Sequence, residues 1–117
     1  DVPATKFFQA IAAEAQPRLG EFTSQALANT AWAFVTADIP AKELFETIVT
    51  EFHSRLGEFK PQELANIAWA VAKADVPATE FFQAIATEAQ PRLGGFNSQN
   101  LANTVWAFAT AGVAART

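Results

Sequence analysis

Apolar residues recur along the chain at intervals of three and four, the spacing typical of amphipathic helices. The first such stretch contains Phe8, Ile11, Ala12, Ala15 and Leu19. A second stretch, "LANTAWAF", follows after a short polar segment. The pattern therefore predicts two helices, over roughly residues 3–19 and 24–37.

This two-helix pattern occurs three times at a constant spacing of 37 residues, from Asn29 to Asn66 to Asn103. The units are 1–37, 38–74 and 75–111, and we interpret 112–117 as a tail or the start of a further repeat. The first and third units are identical at 30 of 37 positions, so we expect further copies in a longer parent protein. A single pair cannot bury its apolar surface alone, which predicts an all-α fold, an α-solenoid of three 37-residue helix-turn-helix repeats.

Short polar residues and glycines mark the predicted helix ends. We expect the second helix of a unit to be capped by Thr23 or Asn97, and Pro61 to occupy a first-turn position. The first helices are expected to receive a capping carboxylate from Asp1, Asp38 and Asp75. They are expected to stop at left-handed glycines, namely Gly20, Gly57 and Gly94. Proline should kink their last turn in the outer units, at Pro17 and Pro91.

Each second helix carries a seam of Gln, Asn and Trp that never varies between units. The amides could contact a ligand such as a nucleic-acid base, or they could hold neighbouring repeats together. A residue that discriminates between ligands must differ from repeat to repeat, so we predict a structural ladder between repeats, with the tryptophans in the core. The ladder consists of Gln25, Asn29, Trp32, Gln62, Asn66, Trp69, Gln99, Asn103 and Trp106.

An arginine also recurs in each unit, at Arg18, Arg55 and Arg92. A regular row of arginines could bind phosphates. However, a glutamate stands four residues before each one, in the order that stabilises a helix. We therefore interpret these arginines as partners in intrahelical ion pairs.

The exposed side of each first helix differs between units while the apolar positions stay fixed. That combination is what a modular ligand-reading surface requires, although solvated positions also change freely without any function. The candidate ligand-reading face consists of Lys6, Gln9, Ala13, Glu43, Glu46, Thr50, His53, Glu80, Gln83 and Thr87.

Composition narrows the function further. Eight basic and twelve acidic residues give a formal net charge of −4, which is unlike a general nucleic-acid binder. Cysteine is absent, so the sequence contains no thiolate metal site or disulfide. We find no nucleophile–base pair, no phosphate-binding loop and no membrane-length apolar segment. The sequence thus predicts no enzyme, no metal, no cofactor and no membrane span.

The segment "PQELANIAWAVAKADVPATEFF", from Pro61 to Phe82, resembles the octotricopeptide repeats of organellar proteins. It is similar also to the heptatricopeptide repeats of the FAST-kinase-like group, which share a "PQ-x-LAN-x-x-WA" helix followed by a proline-led helix. The resemblance covers all three units. It implies selective binding of single-stranded RNA in a chloroplast or mitochondrion, without catalysis by the repeats.

Three hypotheses about function follow from these observations. The first is a single-stranded RNA-binding module in organellar gene expression. The second is an acidic protein-interaction scaffold that receives a basic protein partner without binding RNA. The third is end-to-end self-association of the chain through uncapped apolar repeat ends.

Overall fold

The computed structural model describes residues 2–112, and within this range the chain is all-α, as predicted, with no β-strand. Three first helices alternate with three second helices. The first helices are α1 (Ala4–Ala15), α3 (Lys42–His53) and α5 (Thr79–Ala89). The second helices are α2 (Ser24–Thr36), α4 (Pro61–Ala74) and α6 (Ser98–Ala111).

The second helices begin where the sequence predicts. Thr23 Oγ1 accepts a hydrogen bond from the Ala26 amide at 3.1 Å, and Asn97 Oδ1 accepts one from the Asn100 amide at 2.7 Å. Pro61 is the first residue of α4, where its missing N–H has no intrahelical partner to lose. Starts at residues 24, 61 and 98 keep the spacing of 37.

The expected roles of aspartate and glycine at the helix ends are wrong. Asp38 and Asp75 adopt a left-handed φ of 59° just after α2 and α4, so they end these helices instead of capping the next ones. Gly112 takes the same left-handed conformation after α6, with φ 73°. Aspartate is one of the few side chains that tolerate this conformation, which explains its use at the end of a helix. Asp1 lies outside the described residues, as do residues 113–117 of the predicted tail.

The first helices of the outer units end in 3₁₀ turns, at Gln16–Glu21 and Gln90–Gly95. Proline occupies the opening of each turn, because its ring cannot continue the α-helical hydrogen bonding. The middle unit has Ser54 in that place, and its 3₁₀ turn shortens to Leu56–Glu58. Gly20 and Gly94 lie inside these 3₁₀ turns without a positive φ, so neither is the left-handed stop that we expected, and the same holds for Gly57.

The two kinds of helix pack differently. The second helices lie directly against one another, with α4 between α2 and α6, whereas the first helices contact each other far less. Many of the buried residues of the second helices are alanines, such as Ala31 and Ala68, both fully buried. Small side chains let helix axes approach closely, toward the lower end of the usual range of about 8–10 Å. The first helices present Phe, Leu and Ile instead, and these larger side chains keep them further apart.

Aromatic contacts join the two helices of the first unit and the two helices of the third unit. The Phe8 and Phe34 rings meet edge to face, with centroids 5.2 Å apart, and Phe82 and Phe108 repeat this geometry at the same distance. The fully buried Phe52 fills the centre of the molecule, against Phe59 and Phe81. The core therefore continues along the whole described chain, which is 47 Å long and about half as wide.

Candidate ligand-binding surfaces

All ten residues of the candidate ligand-reading face are solvent-exposed on α1, α3 and α5. Two hydroxyls among them, those of Thr50 and Thr87, bond to the carbonyl four residues earlier in their own helix. Exposure is what a reading surface needs, and ligand reading by these residues stays a prediction.

One groove brings part of this face together. It lies between the end of α3 and the start of α5 and has a volume of about 640 Å³. Thr50, His53 and Glu80 line it beside apolar residues of the connecting loop. No two of these three polar side chains are hydrogen-bonded to each other in the described structure. The groove can accept a ligand that is rich in hydrogen-bond donors. Its three polar side chains do not form a hydrogen-bonded pair of the kind that catalysis uses.

Six of the nine residues of the recurring Gln–Asn–Trp seam are exposed, and the other three, Asn66, Trp69 and Asn103, are half-buried. This corrects the prediction of a buried ladder. Asn29 and Gln25 are exposed, and their amides bond to no described residue. The one amide pair in the seam joins Gln99 Nε2 to Asn103 Oδ1 at 2.9 Å, within a single helix. Since no seam amide in residues 2–112 crosses between units, these amides do not hold the repeats together.

Two of the three tryptophans are outside the core, whereas Trp69 is partly buried against it and contacts Trp106 of the next unit. Trp32 is 47% exposed and Trp106 is 42% exposed. Trp69 is half-buried because Trp106 packs beside it, with ring centroids 6.0 Å apart and planes inclined at 36°. Lys73 Nζ lies 5.6 Å from the centroid of the Trp69 ring, within cation–π range. The seam thus presents two accessible aromatic faces, those of Trp32 and Trp106, and one half-buried face, that of Trp69, with polar groups beside them.

The polar contacts between units are made by arginine. Arg55 Nη1 donates to the Phe22 carbonyl at 2.6 Å, and its Nη2 reaches the Leu19 carbonyl at 3.3 Å. Arg92 Nη1 donates to the Phe59 carbonyl at 2.8 Å in the same way. Arg18 bonds to no carbonyl of another unit among the described residues, and its side chain is 59% exposed.

The predicted intrahelical ion pairs are confirmed in all three units. Arg18 pairs with Glu14, and the two other arginines lie 3.3 and 3.4 Å from the glutamate four residues earlier. Arg55 and Arg92 therefore have two roles, as helix partners and as tethers to the preceding unit. Neither is free to bind a phosphate.

Charge is unevenly distributed between the two surfaces. Glu43, Glu46 and Glu80 form no ion pair with any described residue, so the face of the first helices is acidic. Near the end of the seam, Lys42 and Lys73 line a groove of about 370 Å³ together with Asp38 and Asp75. Lys42 and Lys73 therefore supply positive charge near the seam, and the described residues form no strongly basic patch there.

The described residues, 2–112, provide neither a metal site nor a membrane span. Within that range no three His, Cys, Asp or Glu side chains are grouped closely enough to hold a metal ion. No helix there has the length and apolar character needed to cross a bilayer.

Comparison with known proteins gives no relative. No family model, curated protein or solved structure matches this chain.

Sequence reasoning misplaced the seam for an identifiable reason. The helical wheel groups Gln25, Asn29 and Thr36 on one narrow side, with Trp32 at its margin. Because the rest of the helix is apolar, the pattern favours a buried position for this polar seam, and that prediction was wrong. A polar stripe that recurs at the same angle on every second helix is also the signature of a continuous solvent-facing surface, and that signal was present.

Proposed function

We propose that the chain is an α-solenoid binding module for single-stranded RNA, and that the bases stack on the tryptophan seam of the second helices. The observation that carries this proposal is the row of Trp32, Trp69 and Trp106, one per unit, each with an amide four or fewer residues away on the same helix face. Trp32 and Trp106 are exposed, and Trp69 is half-buried between them. Aromatic faces beside amides are the groups with which proteins bind unpaired bases.

The close packing of the second helices supports the choice of this surface. In a curved stack of helix pairs, the more closely spaced layer lies on the inner side, and α2, α4 and α6 form that layer. A strand that follows the inner side meets one Trp–Asn set per unit, at the spacing of adjacent helices, about 8–10 Å. Every unit then offers the same generic contact, because the seam does not vary in sequence.

The ring geometry limits how bases can stack. A base inserted between two rings needs two stacking distances of about 3.4 Å, or about 6.8 Å in all. The Trp69 and Trp106 centroids are 6.0 Å apart, which is too close for insertion without movement. Bases therefore stack on the outward faces, and Trp32 offers the most accessible one because no other tryptophan packs against it in the described structure.

The charge distribution predicts weak dependence on salt. Lys73 adjoins Trp69, and Lys42 lines the same groove as Lys73. One or two phosphate contacts give a slope of about −0.7 to −1.4 in log K against log salt concentration, since single strands contribute about −0.7 per contact. Most of the affinity then comes from stacking, at about 1–3 kcal/mol for each base.

The variable face of the first helices supplies selectivity in this proposal. Gln9, Glu46 and Gln83 occupy equivalent exposed positions, and the negative charge of Glu46 distinguishes the middle unit, so this unit can favour a different neighbouring group. The resemblance to octotricopeptide and heptatricopeptide repeats supports RNA as the ligand and a chloroplast or mitochondrion as the compartment. We propose binding and not catalysis as the activity.

Fluorescence anisotropy with a labelled pool of unstructured single-stranded RNA tests this proposal. Trp32→Ala should weaken binding by about 5- to 150-fold, the equivalent of one stacked base. Thr5→Ala is the matched control, because it shortens an exposed side chain of the same unit that belongs to neither the seam nor the variable face. An equal effect of both variants, or none from Trp32→Ala, would place the RNA elsewhere or exclude it.

The acidic face of the first helices favours a second candidate function, a scaffold for a basic protein segment. Its unpaired carboxylates, those of Glu43, Glu46 and Glu80, fit a ligand rich in lysine and arginine. A labelled oligolysine peptide distinguishes the two functions. A scaffold should bind the peptide, lose it in a Glu43→Gln, Glu46→Gln variant and ignore RNA.

A further inference from the structure

The seam-end groove, lined by Asp38, Lys42, Lys73 and Asp75, holds four charged side chains that do not neutralise one another. Asp38 and Lys42 come from the connection between α2 and α3, whereas Lys73 and Asp75 come from the end of α4. All four are exposed, and none of them forms an ion pair within residues 2–112. The groove therefore offers two carboxylate acceptors and two ammonium donors to a ligand.

The size and lining of this groove suit a small flat ligand. Its volume of about 370 Å³ lies near the lower end of the range of about 300–1,000 Å³ that small-molecule sites occupy. Apolar residues line it between the charges, among them the half-buried Val35, Ile39 and Val76. A flat ring can contact this apolar surface while the polar groups at its edge reach the charged side chains.

The seam-end groove adjoins the tryptophan seam through one side chain. Lys73 Nζ lies 5.6 Å from the centroid of the Trp69 ring, and Lys73 also lines the groove. The two residues are four positions apart on α4, which is about one helical turn. An RNA strand with one base on Trp69 therefore passes the groove with a neighbouring nucleotide.

The two lysines distinguish this groove from the equivalent groove between the second and third units. Threonine stands at the equivalent positions of the other units, namely Thr5, Thr36, Thr79 and Thr110. The second groove has the same apolar lining and one aspartate, Asp75, but threonines in place of Lys42 and Lys73. A contact that selects one ligand group must differ from unit to unit, and these lysines do.

Guanine is the base whose polar groups complement this set of side chains best. Its Watson–Crick edge places two donors, N1–H and N2–H, side by side, and a carboxylate accepts such a pair as it does from arginine. Its O6 and N7 atoms are acceptors for lysine. Adenine, cytosine and uracil each lack the adjacent pair of ring and amino donors, so they lose one of the two bonds to the carboxylate.

We propose that the seam-end groove binds one guanine of the RNA strand and so selects its sequence. Guanine binding here rests on the RNA-binding function proposed above and adds the identity of one base. The carboxylates of Asp38 and Asp75 accept the N1–H and N2–H donors, while Lys42 donates to O6 or N7. Lys73 contacts the phosphate between this guanine and the base on Trp69.

Fluorescence anisotropy with two short labelled RNAs tests this proposal. One is an oligoadenylate, and the other is the same strand with a single central guanine. The guanine strand should bind about 5- to 150-fold more tightly, the discrimination that one bidentate base contact provides. Equal affinity of the two strands would overturn guanine binding and leave stacking on the seam intact. Absence of binding by both strands would overturn the RNA-binding function as well.

The double variant Asp38→Asn, Asp75→Asn tests the carboxylates. Asparagine tolerates the left-handed conformation that both residues adopt, so the helix ends are preserved. An amide has one acceptor oxygen with a donor beside it, and it cannot accept the two guanine donors as a carboxylate does. The preference for the guanine strand should disappear while the affinity for oligoadenylate is unchanged. A double variant that keeps the preference would overturn the proposal.

Lys42→Thr and Lys73→Thr form a matched pair, because each gives the groove the residue found in the other units. Lys42→Thr should reduce the preference for guanine by about fivefold or more, since it removes a base contact. Lys73→Thr should weaken the binding of both strands by the same factor, since a phosphate contact carries no base information. An equal loss for both strands in Lys42→Thr would contradict the base contact, and circular dichroism verifies that both variants are folded.

Discussion

The arginine tether gives the sharpest prediction about stability, because the three units provide an internal series. Arg18, Arg92 and Arg55 occupy equivalent positions in their units, and a glutamate stands four residues before each of them. They make zero, one and two hydrogen bonds, respectively, to carbonyls of a preceding unit. Substitution by Met keeps most of the aliphatic packing of the arginine stem while removing the charge and the donors.

The expected losses follow from these contacts. Arg18→Met removes only an exposed intrahelical pair, worth about 0.2–0.5 kcal/mol. Arg55→Met also removes a short charged hydrogen bond to Phe22 and a longer one to Leu19, so we expect a loss of about 2–3 kcal/mol. Arg92→Met should lie between them at about 1 kcal/mol, because one bond is lost and the buried, unpartnered Nη2 is relieved.

Urea unfolding followed by circular dichroism measures this series. With a slope near 2 kcal/mol per molar urea, the midpoint should fall by about 1–1.5 M for Arg55→Met and by about 0.25 M or less for Arg18→Met. The order Arg18, Arg92, Arg55 is the essential result. Equal losses in all three variants would refute the reasoning, since they would mean that the guanidinium stabilises only its own helix.

Two further predictions concern the helix ends. Thr23→Ala should lower the free energy of unfolding by about 1 kcal/mol, because Thr23 Oγ1 caps α2, whereas Ser24→Ala should change it little; urea unfolding of both variants checks this, and equal effects would contradict the capping role. Asp75→Val should cost about 1–2 kcal/mol because a β-branched residue strains the left-handed conformation, while Asp75→Gly should be neutral or stabilising. A destabilised Asp75→Gly variant would mean that the carboxylate itself stabilises the turn.

Much of the fold could be predicted from the sequence because its signals are local. Apolar spacing, prolines at helix starts and small polar caps act within one or two turns, and they placed the second helices to within a residue. The first helices were predicted too long at their ends. A 3₁₀ turn keeps a helix-like apolar pattern, so the pattern alone does not show where Pro17 changes the hydrogen bonding.

The contacts between units could not be predicted in the same way. Asparagine and arginine both recur every 37 residues, and recurrence alone does not tell which one crosses between units. Arginine and asparagine differ here in the length of the side chain and in the direction in which it leaves the helix. The Arg55 guanidinium reaches a carbonyl 33 residues earlier in the chain, whereas the short Asn29 amide remains in solvent on its own helix.

The candidate surfaces show the same division. The exposed face of the first helices was predicted correctly as exposed, because variation and polarity coincide there. The tryptophan seam was assigned to the core, since tryptophan is usually buried and the helix around it is apolar. Exposure of Trp32 depends on the rotation of α2 against α4, which is a tertiary property.

Intrinsic tryptophan fluorescence during a titration with unstructured single-stranded RNA tests the central claim most directly. The chain has three tryptophans, all in the seam, and no tyrosine, so the signal comes from the proposed binding surface itself. The account predicts saturable quenching at low salt, reduced in Trp32→Ala and only moderately weakened by added salt. RNA that leaves the fluorescence unchanged at low salt would contradict binding at the seam.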